Sequence, residues 1–327
     1  MSAQVVGFGS PLVDLCLSVD EAFLAAEVGG ERGGMQLVSA ETIERVLAAH
    51  GGQPAQAPGG SACNVVCGLA ALGIAAAFIG CIGDDAYGQH LATALAMQGV
   101  EARLIVRRGL PTGRVLALVT PDGQRTFRTC LGAAASLSAA EVQGAELRGA
   151  RFVVMEGYST YDPQLARAIA AAARAAGAEL VLDFAAHEVV RAARPLLEEL
   201  LAAGLVAIAV LNEDEAAAWS GGEPLAALDM LAPQVRLCAV KRGAQGAVLA
   251  EGRQRLAIPA VPAEVVDTIG AGDAWLAGLL AGLVRGLPLA VCGELAAHAG
   301  AAAVAVAGAQ VPRARWRQLA GRLDAWT

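Results

Sequence analysis

The sequence predicts an α/β fold with a mainly parallel central sheet and a small inserted β lid. From about residue 151 onward, short apolar strands alternate with helical segments in this chain of 327 residues. Strands that are apolar on both faces and separated by helices indicate right-handed crossovers and a parallel sheet. The turn signal Pro121-Asp122-Gly123-Gln124 lies between two runs that break this alternation, and it indicates a β-hairpin.

The predicted elements follow in chain order. A strand over 4–8 opens the chain, and a helix over 64–72 begins after a Gly-Gly turn. In the second half, the alternation predicts strands at 152–155, 179–184, 205–211 and 236–241, and helices at 164–176, 196–203 and 213–219. The irregular segments of about 11–40 and 103–130 predict the lid, which is inserted into a single domain of residues 1–327.

Composition argues against several classes of protein. The net charge is −7 and no basic run occurs, which argues against nucleic acid as a partner. No window of about 18 strongly apolar residues occurs and the N-terminus lacks a basic signal region, so we expect no membrane association and a cytoplasmic location. The seven cysteines form no C-x-x-C pair and the four histidines show no zinc spacing, which favours free thiols and no histidine metal site.

Three familiar motifs are incomplete or absent. Gly7-Phe8-Gly9 follows a strand as in a dinucleotide-binding fingerprint, but position 12 is leucine and Pro11 interrupts the expected helix start. The chain contains no G-x-x-x-x-G-K-[ST] and no G-x-S-x-G. These patterns argue against Rossmann dehydrogenases, P-loop proteins and α/β-hydrolases.

The most informative stretch is D-T-I-G-A-G-D at 267–273, which runs from a predicted strand into an apolar helical segment. The small residues Gly270, Ala271 and Gly272 let backbone N–H groups converge at a helix N-terminus, where the helix dipole favours an anion. A carboxylate beside such an anion hole, Asp273, is suited to removing a proton from a hydroxyl that attacks a phosphoryl group. In the alternative interpretation, Asp273 is an ordinary helix cap.

Further polar residues follow predicted strand ends, where ligands gather in parallel sheets. The N-x-x-E pattern of Asn212 and Glu215 can hold hydrated Mg²⁺ near nucleotide phosphates, although acidic residues are also common in first turns because of the helix dipole alone. Lys241, the only lysine in the chain, suggests a site that needs a compact ammonium, with chance retention as the alternative. We expect Asn212, Lys241 and the 267–273 loop to share one cleft.

A second group of residues suggests a site for a polyhydroxylated ligand. Gly59 and Gly60 allow close approach to the backbone, and Asn64 supplies both a donor and an acceptor. Asp14, just beyond the first strand, can accept hydrogen bonds from two sugar hydroxyls. The alternatives are a flexible turn followed by a helix cap at 58–64, and an exposed turn residue at Asp14.

Together these elements resemble the ribokinase-like (pfkB) family of carbohydrate and nucleoside kinases. The resemblance spans nearly the whole chain and rests on five motifs in the family's order: G-G-S-A-C-N at 59–64, G-C-I-G-D-D-A-Y-G at 80–88, N-E-D-E at 212–215, K-R-G-A-Q-G at 241–246 and D-T-I-G-A-G-D at 267–273. The region 11–20 and the run 118–127 look closest to the adenosine-kinase-like branch. The resemblance implies a ribokinase-like three-layer sandwich.

The resemblance also implies roles for individual residues. Asp273 is the general base, and the backbone N–H groups of Gly270, Ala271 and Gly272 neutralise charge on the phosphoryl group. The acceptor is held by Asp14, Gly59, Gly60, Asn64 and Glu156, with Arg128 of the lid as a phosphate or acceptor contact. The nucleotide site consists of Asn212, Glu215, Lys241, Gly243, Gly246 and Thr268, with Glu215 placing Mg²⁺ through water.

The implied cofactors are ATP and Mg²⁺. In relatives, a loop corresponding to 304–310 joins Asp267 and Ile269 in a monovalent cation site. That run looks shorter here than in ribokinase, which argues against activation by K⁺. Trp275 stands where phenylalanine is more usual, and we expect only altered packing there.

The leading interpretation is a kinase that phosphorylates a hydroxymethyl group of a sugar or sugar-like molecule, with a nucleoside as the rival acceptor. Aromatic residues are only 4% of the chain, which favours a sugar, whereas the adenosine-kinase-like features favour a nucleoside whose base stacks on Phe23 or Phe127. A non-catalytic sugar- or nucleotide-binding protein is a third alternative, which the intact Asp273 and Glu215 argue against. The oligomeric state stays open between a monomer and a homodimer formed through the lid.

Overall fold

The computed structural model describes residues 2–326 and contains two β-sheets. The larger sheet has nine strands: β1 (Val5–Phe8), β5 (Ala76–Gly83), β6 (Glu101–Arg107), β9 (Phe152–Glu156), β10 (Glu179–Asp183), β11 (Ile208–Asn212), β12 (Leu237–Lys241), β13 (Ala247–Glu251) and β14 (Gln254–Ile258). The second sheet has five: β2 (Leu12–Ser18), β3 (Met35–Leu37), β4 (Ala55–Gly59), β7 (Gly113–Val119) and β8 (Arg125–Cys130).

Helices occupy about half of the remaining chain. They are α1 (Glu21–Phe23), α2 (Ala40–His50), α3 (Ser61–Ala71), α4 (Ala86–Met97), α5 (Pro163–Ala175), α6 (His187–Ala192), α7 (Arg194–Ala202), α8 (Glu213–Ser220), α9 (Ala226–Leu231), α10 (Ala271–Val284), α11 (Leu289–Val304) and α12 (Arg313–Trp326). Among residues 2–326, none of these helices is long and apolar enough to cross a lipid bilayer.

The larger sheet is parallel from β6 through β5, β1, β9, β10 and β11 to β12, as the alternation of strands and helices predicted. Neighbouring residues of one strand enter two separate apolar clusters. Val5 packs in the cluster that contains α3, α10 and α11, whereas Val6 packs in the cluster that contains α5 and α7. The sheet is therefore buried on both faces, and the predicted three-layer α/β fold is confirmed.

Two features of the larger sheet differ from the prediction. β13 and β14 form an antiparallel hairpin at one edge, and from Pro259 to Gly270 the chain has no regular structure. The strand expected directly before the 267–273 stretch is absent, because Pro259 and Pro262 remove the N–H groups that a strand would need. The strand predicted from 205 begins at Ile208, because the N–H of Leu205 still bonds to the carbonyl of Leu200 in α7.

The strands of the second sheet lie in the order β3-β8-β7-β2-β4. Its pairing register aligns alternate residues on two faces. One face carries Leu15, Leu116 and Arg128, which pair in register and are all buried. The helix α2 packs on this outer face with Ile43 and Val46 buried. The opposite face, called the cleft face below, carries Asp14, Cys16, Val115, Ala117, Arg125 and Phe127.

The second sheet corresponds to the predicted lid with different boundaries. Residues 103–107 belong to β6, which pairs with β5 in the larger sheet. Residues 55–59 form the edge strand β4 against β2. Pro58 is compatible with an edge position, because only one side of such a strand donates to a neighbour.

Candidate active site

The loop of Asp267–Gly270 leads directly into α10, as the sequence predicted. Gly270 is the N-cap residue and has a φ of 72°, a conformation that favours glycine, and the backbone of Ala309 leaves no room for a Cβ there. No side chain caps this helix, so the first-turn N–H groups lack intrahelical partners. Ala271 and Gly272 line a cleft of about 700 Å³, where these N–H groups and the helix dipole favour an anion.

Asp273 lies on the first turn of α10 and is held by the start of α3. The hydroxyl of Ser61 donates to Oδ1 at 2.7 Å, and the Nδ2 amide of Asn64 donates to Oδ2 at 2.9 Å. Burial raises the pKa of Asp273 to about 6, although the bonds from Asn64 and Ser61 lower it. A carboxylate with this pKa is a base at neutral pH and accepts a proton more readily than an ordinary aspartate.

The amide of Asn64 is oriented by a residue that follows α11. Nε2 of Gln310 donates to the carbonyl of Pro58 at 2.8 Å and to Oδ1 of Asn64 at 3.3 Å. Because the amide oxygen of Asn64 accepts from Gln310, its NH₂ group faces Asp273. Gln310 thus joins the C-terminal loop, through Asn64, to Asp273.

Asp14 reaches the same region from the cleft face of the second sheet. Within residues 2–326 its carboxylate accepts no hydrogen bond, and burial, followed by repulsion from Asp273, raises its pKa to about 7. Gly59 makes room for this carboxylate, because a Cβ there would collide with it. Gly60 has a φ of 98° and packs against the carbonyl of Ser10, so both glycines serve close packing beside Asp14.

Glu156 ends β9 and has a structural role in this geometry. Its Oε1 accepts from the N–H of Ser10 at 2.8 Å and its Oε2 accepts from the N–H of Ala62 at 3.1 Å. Burial raises its pKa to about 7. The side chain ties the loop after β1 to the start of α3, and thereby positions the residues that hold Asp273.

The other side of the cleft collects the strand-end residues, as predicted. Asn212, Lys241, Gly243, Gly246 and Thr268 all line it, together with Trp275. Apart from Gly243 and its chain neighbours, no heavy atom of the described residues 2–326 lies within 4 Å of where a Cβ of Gly243 would stand. A Cβ of Gly246 would collide with the backbone at the end of β14. The indole of Trp275 forms part of the wall rather than only the core behind it.

Lys241 is paired with an acid that the sequence interpretation missed. Its ammonium lies 3.2 Å from Oδ2 of Asp183, which ends β10. The same ammonium lies 3.0 Å from the position that a Cβ of Gly272 would take, so it stands beside the anion-binding loop. Burial alone would lower the pKa of Lys241, but Asp183, Glu215 and Asp273 raise it above its ordinary value. The lysine is therefore charged at the place where an anion would bind.

Glu215 and Asn212 form a capping box at the start of α8. The N–H and the Nδ2 amide of Asn212 donate to the two carboxylate oxygens of Glu215 at 2.8 and 2.7 Å. Burial, followed by repulsion from Asp183, raises the pKa of Glu215 to about 7. Within residues 2–326 no three acidic, histidine or cysteine side chains gather into a metal site. The neighbouring carboxylates of Glu215 and Asp183 fit a hydrated Mg²⁺ that is held mainly by phosphates.

The structure places Arg125 and Arg128, both in β8, on opposite faces of the second sheet. Arg128 was predicted to contact the acceptor or a phosphate, but its side chain lies on the outer face, where it donates to the carbonyls of Phe127 and Gly29. The reason is strand alternation. Arg128 pairs with Leu116 on the outer face, whereas Arg125, three residues earlier in β8, lies on the cleft face. There the guanidinium of Arg125 lies 2.6 Å from Oδ2 of Asp267.

The residues that the sequence interpretation missed had signals of different strength. Asp183 ends a buried strand as Asn212 and Lys241 do, and this shared position could have identified it. Ala185, two residues later, has a φ of 67°, and non-glycine residues in this conformation cluster at functional sites. Ser61 and Gln310 had no comparable signal, because their roles depend on contacts between distant segments.

The chain is similar in sequence and in fold to known proteins. Residues 35–316 match the pfkB family carbohydrate kinase domain. The chain is 31% identical to a fructokinase from Klebsiella pneumoniae over 72% of this chain and 80% of that protein. It is also 31% identical to the bifunctional protein HldE from Caulobacter vibrioides over 77% of this chain, but it spans only 53% of HldE. The crystal structure of adenosine kinase from Sinorhizobium meliloti superposes with a TM-score of 0.88 at 32% identity, covering 98% of this chain and 99% of that one.

The raised pKa of Asp14 predicts a cost in stability at high pH. Its pKa in the folded protein is about 7 against 3.8 for a free aspartate, so folding binds a proton between these values and stability falls as the pH rises through about 7. A shift of about three units corresponds to about 4 kcal/mol. We expect Asp14→Asn to raise the free energy of unfolding by about 1–3 kcal/mol at pH 8, less than the full value because the amide also lacks a partner.

Chemical denaturation at pH 8 and pH 5 measures this effect. The gain should shrink at pH 5, where the folded carboxyl is already protonated. Asp84→Asn, at an exposed loop position, is the control and should change neither value. A destabilised Asp14→Asn at pH 8 would contradict the expectation.

Proposed function

The chain belongs to the pfkB family of carbohydrate kinases, and on this premise we propose that it transfers the γ-phosphate of ATP to a hydroxymethyl group of a sugar or nucleoside acceptor. One observation carries the proposal. The carboxylate of Asp273 stands at the same helix N-terminus as the loop of Gly270–Gly272, with the ammonium of Lys241 beside that loop. A base, an anion site and a fixed positive charge thus meet in one cleft.

The proposed chemistry needs few steps from the protein. An acceptor hydroxyl lies between Asp14 and Asp273, and Asp273 takes its proton as the oxygen attacks the γ-phosphorus. The new oxygen–phosphorus bond forms while the bond to the bridging oxygen of the β-phosphate breaks, and ADP leaves. The N–H groups at the start of α10 and the ammonium of Lys241 stabilise the charge on the transferred group.

The nucleotide fits the side of the cleft formed by Asn212, Gly243, Gly246 and Thr268, since about 700 Å³ is within the usual range for small-molecule sites. Glu215 and Asp183 would hold the water shell of Mg²⁺, which neutralises phosphate charge when it is bound. Trp275 in the wall contributes apolar surface for the nucleotide.

The cleft face of the second sheet favours a nucleoside over a free sugar as the acceptor. Apart from Asp14 and Arg125, its side chains are apolar or weakly polar: Cys16, Val115, Ala117 and Phe127. Met35 and Leu37 of β3 pair with this face and are 60% and 59% exposed. A free sugar presents hydroxyls on every side, whereas a nucleoside presents a ribose for Asp14 and a flat base for an apolar surface.

Of the two aromatic candidates for stacking, only Phe127 lies on the cleft face. Phe23 packs edge-on against His50 at the end of α2, with ring centroids 5.4 Å apart. The Sinorhizobium meliloti adenosine kinase and the Klebsiella pneumoniae fructokinase represent both acceptor classes among the similar proteins. The small number of aromatic residues favoured a sugar, but the apolar cleft face favours a nucleoside as the acceptor.

All seven cysteines, which lie within the described residues 2–326, are free thiols. Disulfides are rare in reducing compartments, and the absence of any pairing here supports the cytoplasmic location expected from the sequence.

The first prediction tests the base. We expect Asp273→Asn to lower turnover by at least about a hundredfold, because an amide cannot accept the proton, while ATP binding stays near normal. ADP release from MgATP, measured across pentoses, hexoses and nucleosides, gives the turnover. Quenching of tryptophan fluorescence by the nucleotide gives binding. Near-normal turnover would eliminate Asp273 as the base.

A second variant separates the base from a structural role. Ser61→Ala removes a hydrogen bond that lowers the pKa of Asp273. The acidic limb of kcat/KM should therefore move from about pH 6 to a higher pH, with little loss at pH 8. An unchanged acidic limb would show that another group controls it.

The next prediction tests the acceptor class. If a base stacks on Phe127, Phe127→Ala should raise KM for a purine nucleoside about tenfold or more and leave KM for ATP unchanged, since stacking contributes about 1–3 kcal/mol. Phe23→Ala is the matched control, because it removes an equal ring outside the cleft. Equal effects of both variants on KM, or turnover of a free sugar alone, would refute the nucleoside.

The outer face of the second sheet bears on the oligomeric state. We propose a monomer, because α2 covers the outer face of the second sheet and leaves no open sheet surface there for a partner. Sedimentation equilibrium at micromolar concentration should give the mass of one chain, 33.0 kDa. A mass of two chains would reject the proposal.

A further inference from the structure

Asp267 joins three separate segments through one carboxylate. Its Oδ1 accepts from the N–H of Ile269 at 3.1 Å, and its Oδ2 accepts from the N–H of Gly308 at 2.5 Å and forms an ion pair with the guanidinium of Arg125 at 2.6 Å. The side chain is only 6% exposed. A buried carboxylate requires such partners, because isolated charge is costly away from water. The loop before α10, the loop after α11 and the second sheet are thereby linked.

Arg125 is held rigidly at the place where it meets Asp267. It is the first residue of β8 and pairs with Val119 of β7 across the turn of the hairpin. Asp122 in that turn accepts from the hydroxyl of Thr120 at 2.6 Å and from the N–H of Gln124 at 3.2 Å. The Arg125 side chain is 16% exposed, so little water competes for the ion pair.

The residues present do not fit a monovalent cation at Asp267. Such an ion needs several oxygen ligands with free lone pairs, and its charge must be matched by the carboxylate. Here the carboxylate already accepts two N–H groups and a guanidinium. A second positive ion against the same oxygens would be repelled by Arg125 at close range.

We propose that the guanidinium of Arg125 takes the place of a monovalent cation at Asp267 and sets the conformation of the anion-binding loop. The inference rests on the proposed function for its consequence in catalysis, but the charge replacement itself concerns the folded chain alone. Arg125 is then a positioning residue that acts through Asp267. Because it arrives on the second sheet, the loop is in its anion-binding form only when that sheet lies against it.

The experiment compares the protein in about 100 mM KCl and about 100 mM choline chloride, which have equal ionic strength and screening. For the wild type we expect the same unfolding midpoint in both salts, and turnover that agrees within about twofold. Arg125→Met keeps most of the side-chain length and removes the charge. In choline we expect it to unfold at lower denaturant and to turn over at least about tenfold more slowly, and K⁺ or millimolar guanidinium should reverse both effects.

A double variant and a control complete the test. Arg125→Met combined with Asp267→Asn should recover stability relative to Arg125→Met alone, because the uncompensated carboxylate is gone. Arg32→Met is the matched control: its guanidinium belongs to the same sheet region but pairs at the surface with Glu21 and Asp122, so neither salt should distinguish it from the wild type.

Three results would overturn the proposal. The first is strong stimulation of the wild type by K⁺ over choline. The second is an Arg125→Met variant that matches the wild type in choline. The third is a loss of turnover in Arg125→Met that neither K⁺ nor guanidinium restores, because the arginine would then act elsewhere. The unfolding measurements test the charge replacement at Asp267 without any acceptor, so a failure of the proposed kinase activity stays distinguishable.

Discussion

The site depends on two helix N-termini that face each other across one carboxylate. Asp273 begins α10, and its two oxygens accept from Ser61 and Asn64 at the beginning of α3. Each contact joins residues more than two hundred positions apart in the chain. Glu156 fixes the start of α3 by accepting from the N–H of Ala62, and Gln310 orients the amide of Asn64 by donating to its Oδ1. The Asp273 carboxylate is thus oriented by packing between helices and strands, and no flexible loop carries it.

Charge in the cleft is unevenly balanced. The acids Asp14, Asp183, Glu215 and Asp273 face the cations Lys241 and Arg125, and repulsion between carboxylates contributes to the raised pKa of Asp14, Glu215 and Asp273. Such an arrangement opposes folding, and the two apolar clusters on either side of the larger sheet must offset it. Strained or repulsive groups that persist in a well-packed protein are typical of functional sites.

The sequence predicted the parts of the structure that are local. Strand and helix alternation predicted the parallel sheet, and the family resemblance implied the three layers. Strand-end positions predicted that Asn212, Lys241 and the 267–273 loop share a cleft. It did not predict β13 and β14, whose turn lacks a strong hairpin signal, or the edge strand β4. The sequence could not show that Arg128 lies on the outer face and Arg125 on the cleft face, because the two faces of a hairpin cannot be assigned without knowing which one is covered by α2. The contacts of Asp183 and Gln310 depend on long-range packing that periodicity does not describe.

The single lysine has a consequence for the chemistry of the whole molecule. All other basic side chains that are always charged in this sequence are arginines. A reagent or modifying enzyme that attacks a lysine ε-amine therefore has one target side chain, Lys241, which lies in the cleft beside Gly272. Its ion pair with Asp183 keeps the amine protonated and slow to acylate. Acylation of this side chain would therefore report on the occupancy of the cleft and on little else, which gives the protein a built-in covalent probe.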